Sequence, residues 1–579
     1  MPSSVTLHRL RGLSALVAGS ALLAACGGGS DAPPPPPAAT LSLQGTAATG
    51  AAIAAAAVTA KCNGGSGTAT TAANGTFAIS LTAGTLPCAL KVAAAGGDLH
   101  SVVAGSGTTA TANITPITQL IVANLAGKDP ATYFTSFAAA DITALTSSAV
   151  DGAQAKVVTV LKSNGVDASG VGNLITGSLV AANGSTSGNG LDQVLDALNA
   201  KLTSSGVTLA QFVGTMLQTV VTATPSGTPS VALELALQTK AASCDALRSG
   251  IYRLVVPTVG AAGSFGSEST QKLIVNAAAP SITNAAGETF TLTPTAGSPC
   301  RFLTSGGGDI VVSQSGAFGI RTGDGAFGFG FPEQAIALSD LAGDWNLLGF
   351  DHENRTDPLG PTSANLSISS AGAIAFSAYC GDAKTCVTTG LPSPTLAVNI
   401  AGGYDIAFSA TEKSRLFAFR AGGGELMLAA AGEDGTWAIG TRRRTNALPA
   451  VGTVFTGWNV DATNTLVGTT YGPAGLAISE FGNTVTAIDI ANDFFTRDGV
   501  TNFTGPITRP ETLYVNAVAG TARQGYRWRK PATVVNSVGA TVNVSEFINL
   551  PLRGIGVGVS VTPNVNIAAS RYSFSVNKP

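Results

Sequence analysis

The apolar residues of this chain change period twice, and that change limits its fold more than any single motif does. From 41 to 114 they alternate with polar residues, as in Phe77-Ala78-Ile79-Ser80-Leu81, the period-two pattern of a half-buried strand. From 115 to 243 they recur every three or four residues. Leu191, Val194, Leu195, Leu198 and Leu202 make one such stripe, and Leu209, Phe212, Val213, Met216, Leu217 and Val220 another. From 244 to the end period two returns, in Phe290-Thr291-Leu292, Leu366-Ser367-Ile368, Ile374-Ala375-Phe376 and Tyr572-Ser573-Phe574-Ser575-Val576. The pattern predicts a multidomain α and β chain: a small antiparallel β-sandwich, then a helical bundle, then a large antiparallel β-rich region of barrel- or sandwich-like units.

Local signals mark the boundaries. Thr115-Pro116 offers a helix N-cap followed by a proline at the first helical position, and Gly127 suits the left-handed residue that ends a helix. Thr208 and Gln211 have capping-box spacing. The stripes read as the core of a bundle of five or so helices over 115–243. The β-rich remainder is too long for one ordinary core. It divides into units at 244–340, 341–450 and 451–579, because Ser249-Gly250-Ile251-Tyr252, Ala342-Gly343-Asp344-Trp345 and Thr456-Gly457-Trp458-Asn459 each precede a strand-rich stretch.

The first 40 residues follow other rules. Arg9 and Arg11 precede an apolar run from Leu13 to Leu23, too short to span a bilayer and built like a secretory signal peptide over 1–25. Residues 26–40, including Gly27-Gly28-Gly29 and Pro33 to Pro37, cannot form a core and read as a stiff tether. Cleavage before Cys26 removes Arg9 and Arg11 and takes the formal charge from −2 to −4. No basic face is implied, so nucleic acid is not an expected partner.

Leu23-Ala24-Ala25-Cys26 resembles the lipobox of bacterial lipoproteins. The resemblance implies lipid attachment at Cys26, with the membrane as a partner through that lipid, and Gly27 after it implies the outer membrane. Gly45, Gly50, Ile53, Ala57-Val58-Thr59-Ala60, Thr70, Asn74-Gly75-Thr76-Phe77 and Leu90-Lys91-Val92 resemble carboxypeptidase-regulatory-like, transthyretin-like domains. That likeness implies a spacer sandwich over 41–114. The openings at Gly250 and Gly343 resemble the Gly-x-Trp start of lipocalin-like barrels.

Cys26 apart, six cysteines remain, an even number suited to an oxidising compartment. Sequence proximity suggests Cys62–Cys88, Cys244–Cys300 and Cys380–Cys386, one of 15 possible connectivities. No pair has the C-x-x-C spacing of zinc or redox sites.

Chemistry is sparse. His352 lies in Asp351-His352-Glu353-Asn354-Arg355-Thr356-Asp357, where a histidine among carboxylates can act as an acid–base or ligand set. No second histidine completes it, and the run also reads as a solvated hairpin loop. No Gly-x-Ser-x-Gly, Walker A run or EF-hand pattern occurs. No cofactor is implied. The four tryptophans, Trp345, Trp437, Trp458 and Trp528, are read as core, with stacking platforms as the alternative. Tyr526-Arg527-Trp528-Arg529-Lys530 and Arg442-Arg443-Arg444 read as half-buried strand edges. The expected role is binding or structural, towards a glycan, a surface protein or a small apolar ligand. The alternative is an exported hydrolase using His352 and Asp351, Glu353 or Asp357.

Overall fold

The computed structural model describes residues 40–183, 187–220, 231–255, 270–351, 360–408, 413–432, 435–467, 470–500, 507–563 and 571–578. Cys26, His352, Glu353 and Asp357 lie outside them. Small β-sheets come first, then a short helical region, then a large antiparallel β region of two eight-stranded barrels and a half-barrel.

The N-terminal part holds two small sheets. Strand Thr40–Thr46 pairs antiparallel with Thr76–Thr82 and parallel with Thr109–Thr111. Strands Gly65–Thr70, Ala57–Asn63, Thr85–Val92 and Leu99–Val103 make the other, in that order. The turn at Asn74-Gly75 therefore carries the chain from one sheet to the other. Gly75 adopts a positive φ of 79°, and Asn74 Oδ1 accepts from the Thr76 amide at 3.2 Å.

Helix Pro116–Ala126 begins and ends where its caps predict. Thr115 Oγ1 accepts from the Thr118 amide, Thr118 Oγ1 accepts from the Thr115 amide, and Gly127 is left-handed. A threonine thus serves where a capping box usually has Glu or Gln. The helical stripes are not a separate core. Ile117, Leu120 and Ile121 join Leu43, Leu90 and Val102 of the sheets, and Leu195, Leu198 and Phe212 of later helices, in one continuous cluster. Strand Leu99–Val103 is consequently buried along its whole length.

His100 lies in that seam, 1% exposed. Gln119 Oε1 accepts from both its backbone amide (2.8 Å) and its ring Nδ1 (2.9 Å), while Nε2 has no partner. Burial holds its pKa below the usual value, because a proton on Nε2 would bury a charge without an acceptor.

Strands from Gly250–Val255 to Phe327–Pro332 form a closed barrel in sequential order, the last pairing with the first. Strands from Gly343–Asp351 to Trp437–Arg442 form an open eight-stranded sheet. The second barrel runs from Val454–Val467 to Arg571–Asn577 and closes by pairing these two. The three Gly-x-aromatic or Gly-Trp signals sit on the first strand of each body. Disulfides join Cys62 to Cys88, Cys244 to Cys300 and Cys380 to Cys386.

Six rings pack where the three bodies meet. Phe327 and Phe329 come from the first barrel, Phe350 and Trp437 from the open sheet, and Tyr572 and Phe574 from the second barrel. Phe574 lies 5.0 Å from Phe327, 4.6 Å from Phe329 and 5.7 Å from Trp437, centroid to centroid. Tyr572 lies 4.8 Å from Phe350. At Gly319 the barrels approach so closely that a Cβ would stand 2.5 Å from Val460.

The two arginine runs are not edges. Strand Thr521–Arg529 lies inside the second barrel between two neighbours, so Arg527 and Arg529 face its interior while Tyr526 packs outward, its hydroxyl donating to Leu347 O. Strand Trp437–Arg442 is likewise internal, and the Arg442 guanidinium lies 4.2 Å from the Trp345 ring centroid. Arg442 and Tyr526 to Arg529 sit in central or closed sheet because neighbouring strands, invisible in local sequence, cover them, while Arg443, Arg444 and Lys530 follow the strand ends. Trp345, Trp437 and Trp458 are buried, and Trp528 is partly covered.

Two outcomes are expected. Phe574→Ala costs about 3–5 kcal/mol by urea denaturation, because the cavity it leaves is walled by side chains of three sheets. Stability also falls as pH drops below about 6.5, since the unfolded chain then takes up a proton that native His100 resists. Urea midpoints at pH 7.5 and 5.5 check this, and His100→Gln reduces the difference.

Candidate functional site

The open sheet is covered on its convex side and hollow on the other. Along strand Gly343–Asp351, Leu348 and Phe350 enter the core shared with the barrels, whereas Leu347, Gly349 and Asp351 line a cavity. The same alternation on strand Leu426–Gly432 sends Met427, Ala429 and Ala431 outward and leaves Leu428, Ala430 and Gly432 facing the hollow.

The hollow is pinched at one end. Ala373 bridges Thr395, the Ile374 amide donates to Pro394 O at 2.9 Å, and the Leu396 amide donates to Gly372 O at 2.8 Å. These contacts bring the outermost strands, Ile374–Cys380 and Leu396–Val398, together there. Bulky side chains fill that end: Leu341, Trp345, Tyr404 and Leu426 are buried together, and Trp345 Nε1 donates to Leu341 O at 2.8 Å.

Away from the pinch a cavity of about 300 Å³ remains. Leu366, Ile374, Phe376, Ile406, Phe408 and Leu428 supply its apolar wall, and small residues such as Ala364, Ala430 and Gly432 leave the space. Few polar side chains reach it. Tyr379 Oη donates to Asp351 Oδ2 at 2.9 Å, and Lys413 lies on the lining. Apolar walls with a few placed polar groups describe a small-molecule site, at the small end of the usual size range. Such a wall gains about 25 cal/mol for each Å² of apolar surface it removes from water.

Of the sequence-read acid–base candidates, Asp351 alone is among the described residues, and it lines this cavity, held by Tyr379. Tyr379 and Lys413 were missed, since neither sits in a motif; only the fold gathers them. The fragments Leu366-Ser367-Ile368 and Ile374-Ala375-Phe376 signalled the wall as alternation, but not that their apolar side faces a void. Among the described residues no group of three or more His, Cys, Asp or Glu gathers as a metal site, and no helix is long and apolar enough to cross a membrane.

No protein-family model matches this chain, and no curated protein does. Among solved structures, the vaccine antigen transferrin binding protein B (TbpB) from Haemophilus parasuis Hp5 aligns in two mutant forms. A single mutant is 10% identical over 53% of this chain and 65% of that one, with a TM-score of 0.19. A double mutant is 8% identical over 54% and 66%, also at 0.19. This chain thus spans under two thirds of their length.

One outcome is expected of the wall. Leu428→Ala enlarges a space that is already open, so it costs less stability than the same truncation at Leu426 in the filled end. Paired urea denaturation of the two variants checks this.

Proposed function

We propose that this chain is a lipid-anchored protein of the cell envelope that binds a small apolar ligand in the hollow of the open sheet. The observation that carries the reading is the 300 Å³ apolar cavity, bordered by Asp351, Tyr379 and Lys413. A ligand with an alkyl or aromatic body and one polar end matches this lining: the body meets the wall, and the polar end meets the hydroxyl, carboxylate and ammonium. Large, buried sheets behind the wall make the site rigid, so little ordering entropy opposes binding.

The anchor rests on the lipobox-like Leu23-Ala24-Ala25-Cys26. With acylation at Cys26 and Gly27 following it, the body is carried on the outer membrane by the tether over 26–40. Three disulfides suit an oxidising compartment outside the cytoplasm.

The experiment is titration of the purified chain with the fluorescent apolar probe N-phenyl-1-naphthylamine, followed by competition with a medium-chain fatty acid. Saturable enhancement that the acid displaces is expected, and Ala430→Phe, which fills the hollow, weakens binding about tenfold or more. Unsaturable enhancement, or binding indifferent to Ala430→Phe, contradicts the reading. Cys26→Ala is expected to move the protein from the membrane fraction to the soluble fraction.

A further inference from the structure

The second barrel holds a different cavity, of about 550 Å³, inside its own lumen. Its wall inverts the usual arrangement. Outward side chains of its last strands, such as Val559, Val561, Phe574 and Val576, are buried against the other bodies, so the polar members of the alternation point inward. Barrels of eight strands have interiors that side chains fill or that hold one small ligand.

Six arginines line this lumen against two carboxylates, Asp461 and Glu511, an excess of four positive charges. Glu511, 4% exposed, is already saturated. Arg529 reaches its Oε1 at 2.6 Å, Arg497 its Oε2 at 2.9 Å, and Arg509 its Oε1 at 3.3 Å. Burial alone would push the Glu511 carboxyl up, but these arginines hold it below the usual carboxylate range. Burial pushes the Asp461 carboxyl up from the usual carboxylate range.

Arg527 is left over. Its Nε is shut off from solvent and has no hydrogen-bond partner, and among the described residues the side chain forms no ion pair. Its closest described aromatic neighbour is the Phe495 ring, 5.9 Å away. Burial, with Arg497 and Arg553 nearby, lowers its pKa to about 10, so it stays charged at neutral pH. A half-buried cation without a counter-charge is costly unless something else supplies one. Arg553 and Arg571 are exposed and also line the cavity, which therefore communicates with solvent.

We propose that the lumen of the second barrel binds a small polyhydroxylated anion, a sugar bearing a phosphate or carboxylate, with Arg527 as its principal anion contact. A guanidinium offers a planar pair of donors that fits either oxyanion. Asn459, Asn483, Asn549 and Ser575 in the same wall supply partners for hydroxyls, and the volume exceeds what a bare ion would need. This site is separate from the apolar hollow, and neither reading depends on the other.

Calorimetric titration of the full chain with glucose 6-phosphate, glucuronate, glucose and inorganic phosphate tests it. At least one sugar anion is expected to bind with a Kd below about 1 mM, more tightly than glucose or inorganic phosphate. Arg527→Gln is expected to weaken that binding about tenfold or more, while leaving the melting temperature of the ligand-free protein unchanged or higher, because an unpaired, half-buried charge is gone. A merely structural arginine would instead lower the melting temperature when removed.

No sugar anion binding up to about 10 mM, glucose or phosphate binding equally well, or binding untouched by Arg527→Gln overturns the proposal. Should Arg527→Gln fail to fold, Arg527→Lys keeps the charge without the fork. That variant is expected to fold and to bind the sugar anion about fivefold or more weakly, and unchanged binding overturns the proposal.

Discussion

Everything in the β region depends on the packing of six rings, Phe327, Phe329, Phe350, Trp437, Tyr572 and Phe574. Each of the three bodies contributes two, and linked centroid separations run from 4.6 Å for Phe329–Phe574 to 5.9 Å for Phe350–Trp437. Aromatic pairs in such tilted or offset arrangements contribute about 0.5–1.5 kcal/mol each beyond their buried area. The geometric consequence matters more. Because this contact buries the convex side of the open sheet, that sheet has only its concave side left for anything else, and that is where the hollow lies.

The same contact explains the second barrel. A strand has two sides, and when the outer one must meet a neighbour's core it takes the apolar residues of the alternation. Val557, Val559 and Val561 on one strand, and Tyr572, Phe574 and Val576 on the next, are spent outward. The lumen then receives glycine, serine, asparagine and arginine. Part of it is still closed apolarly, by Val485, Phe495, Leu513 and Val515. The rest is a polar, positively charged interior that an isolated barrel would not tolerate without water or a counter-ion.

Much of the architecture was legible locally. Thr115, Pro116 and Gly127 bound a helix because their side chains and backbone freedom act within a few residues. The period of the apolar residues distinguished strand from helix for the same reason. Period two, however, says that a strand has an apolar side without saying which way that side faces. Hence Arg527 and Arg529 looked like an edge and proved to be lumen, and Leu366 and Ile374 gave no sign of a void beside them. The continuity of the helical stripes with the N-terminal sheets was hidden likewise, since it depends on how Pro116–Ala126 lies over Leu99–Val103. Asp351 was visible as part of a charged run, but its partner Tyr379 stands 28 residues away and only the sheet brings them together.

The central claim is that the hollow of the open sheet is a ligand site. Its most direct test is photolabelling of the intact protein with an alkyl diazirine, mapped by peptide mass spectrometry. Labels confined to peptides carrying the wall, around Leu366, Phe376, Ile406 and Leu428, and suppressed by excess unlabelled fatty acid, are the predicted result. Labels spread over the surface, or gathered on another part of the molecule, would contradict it.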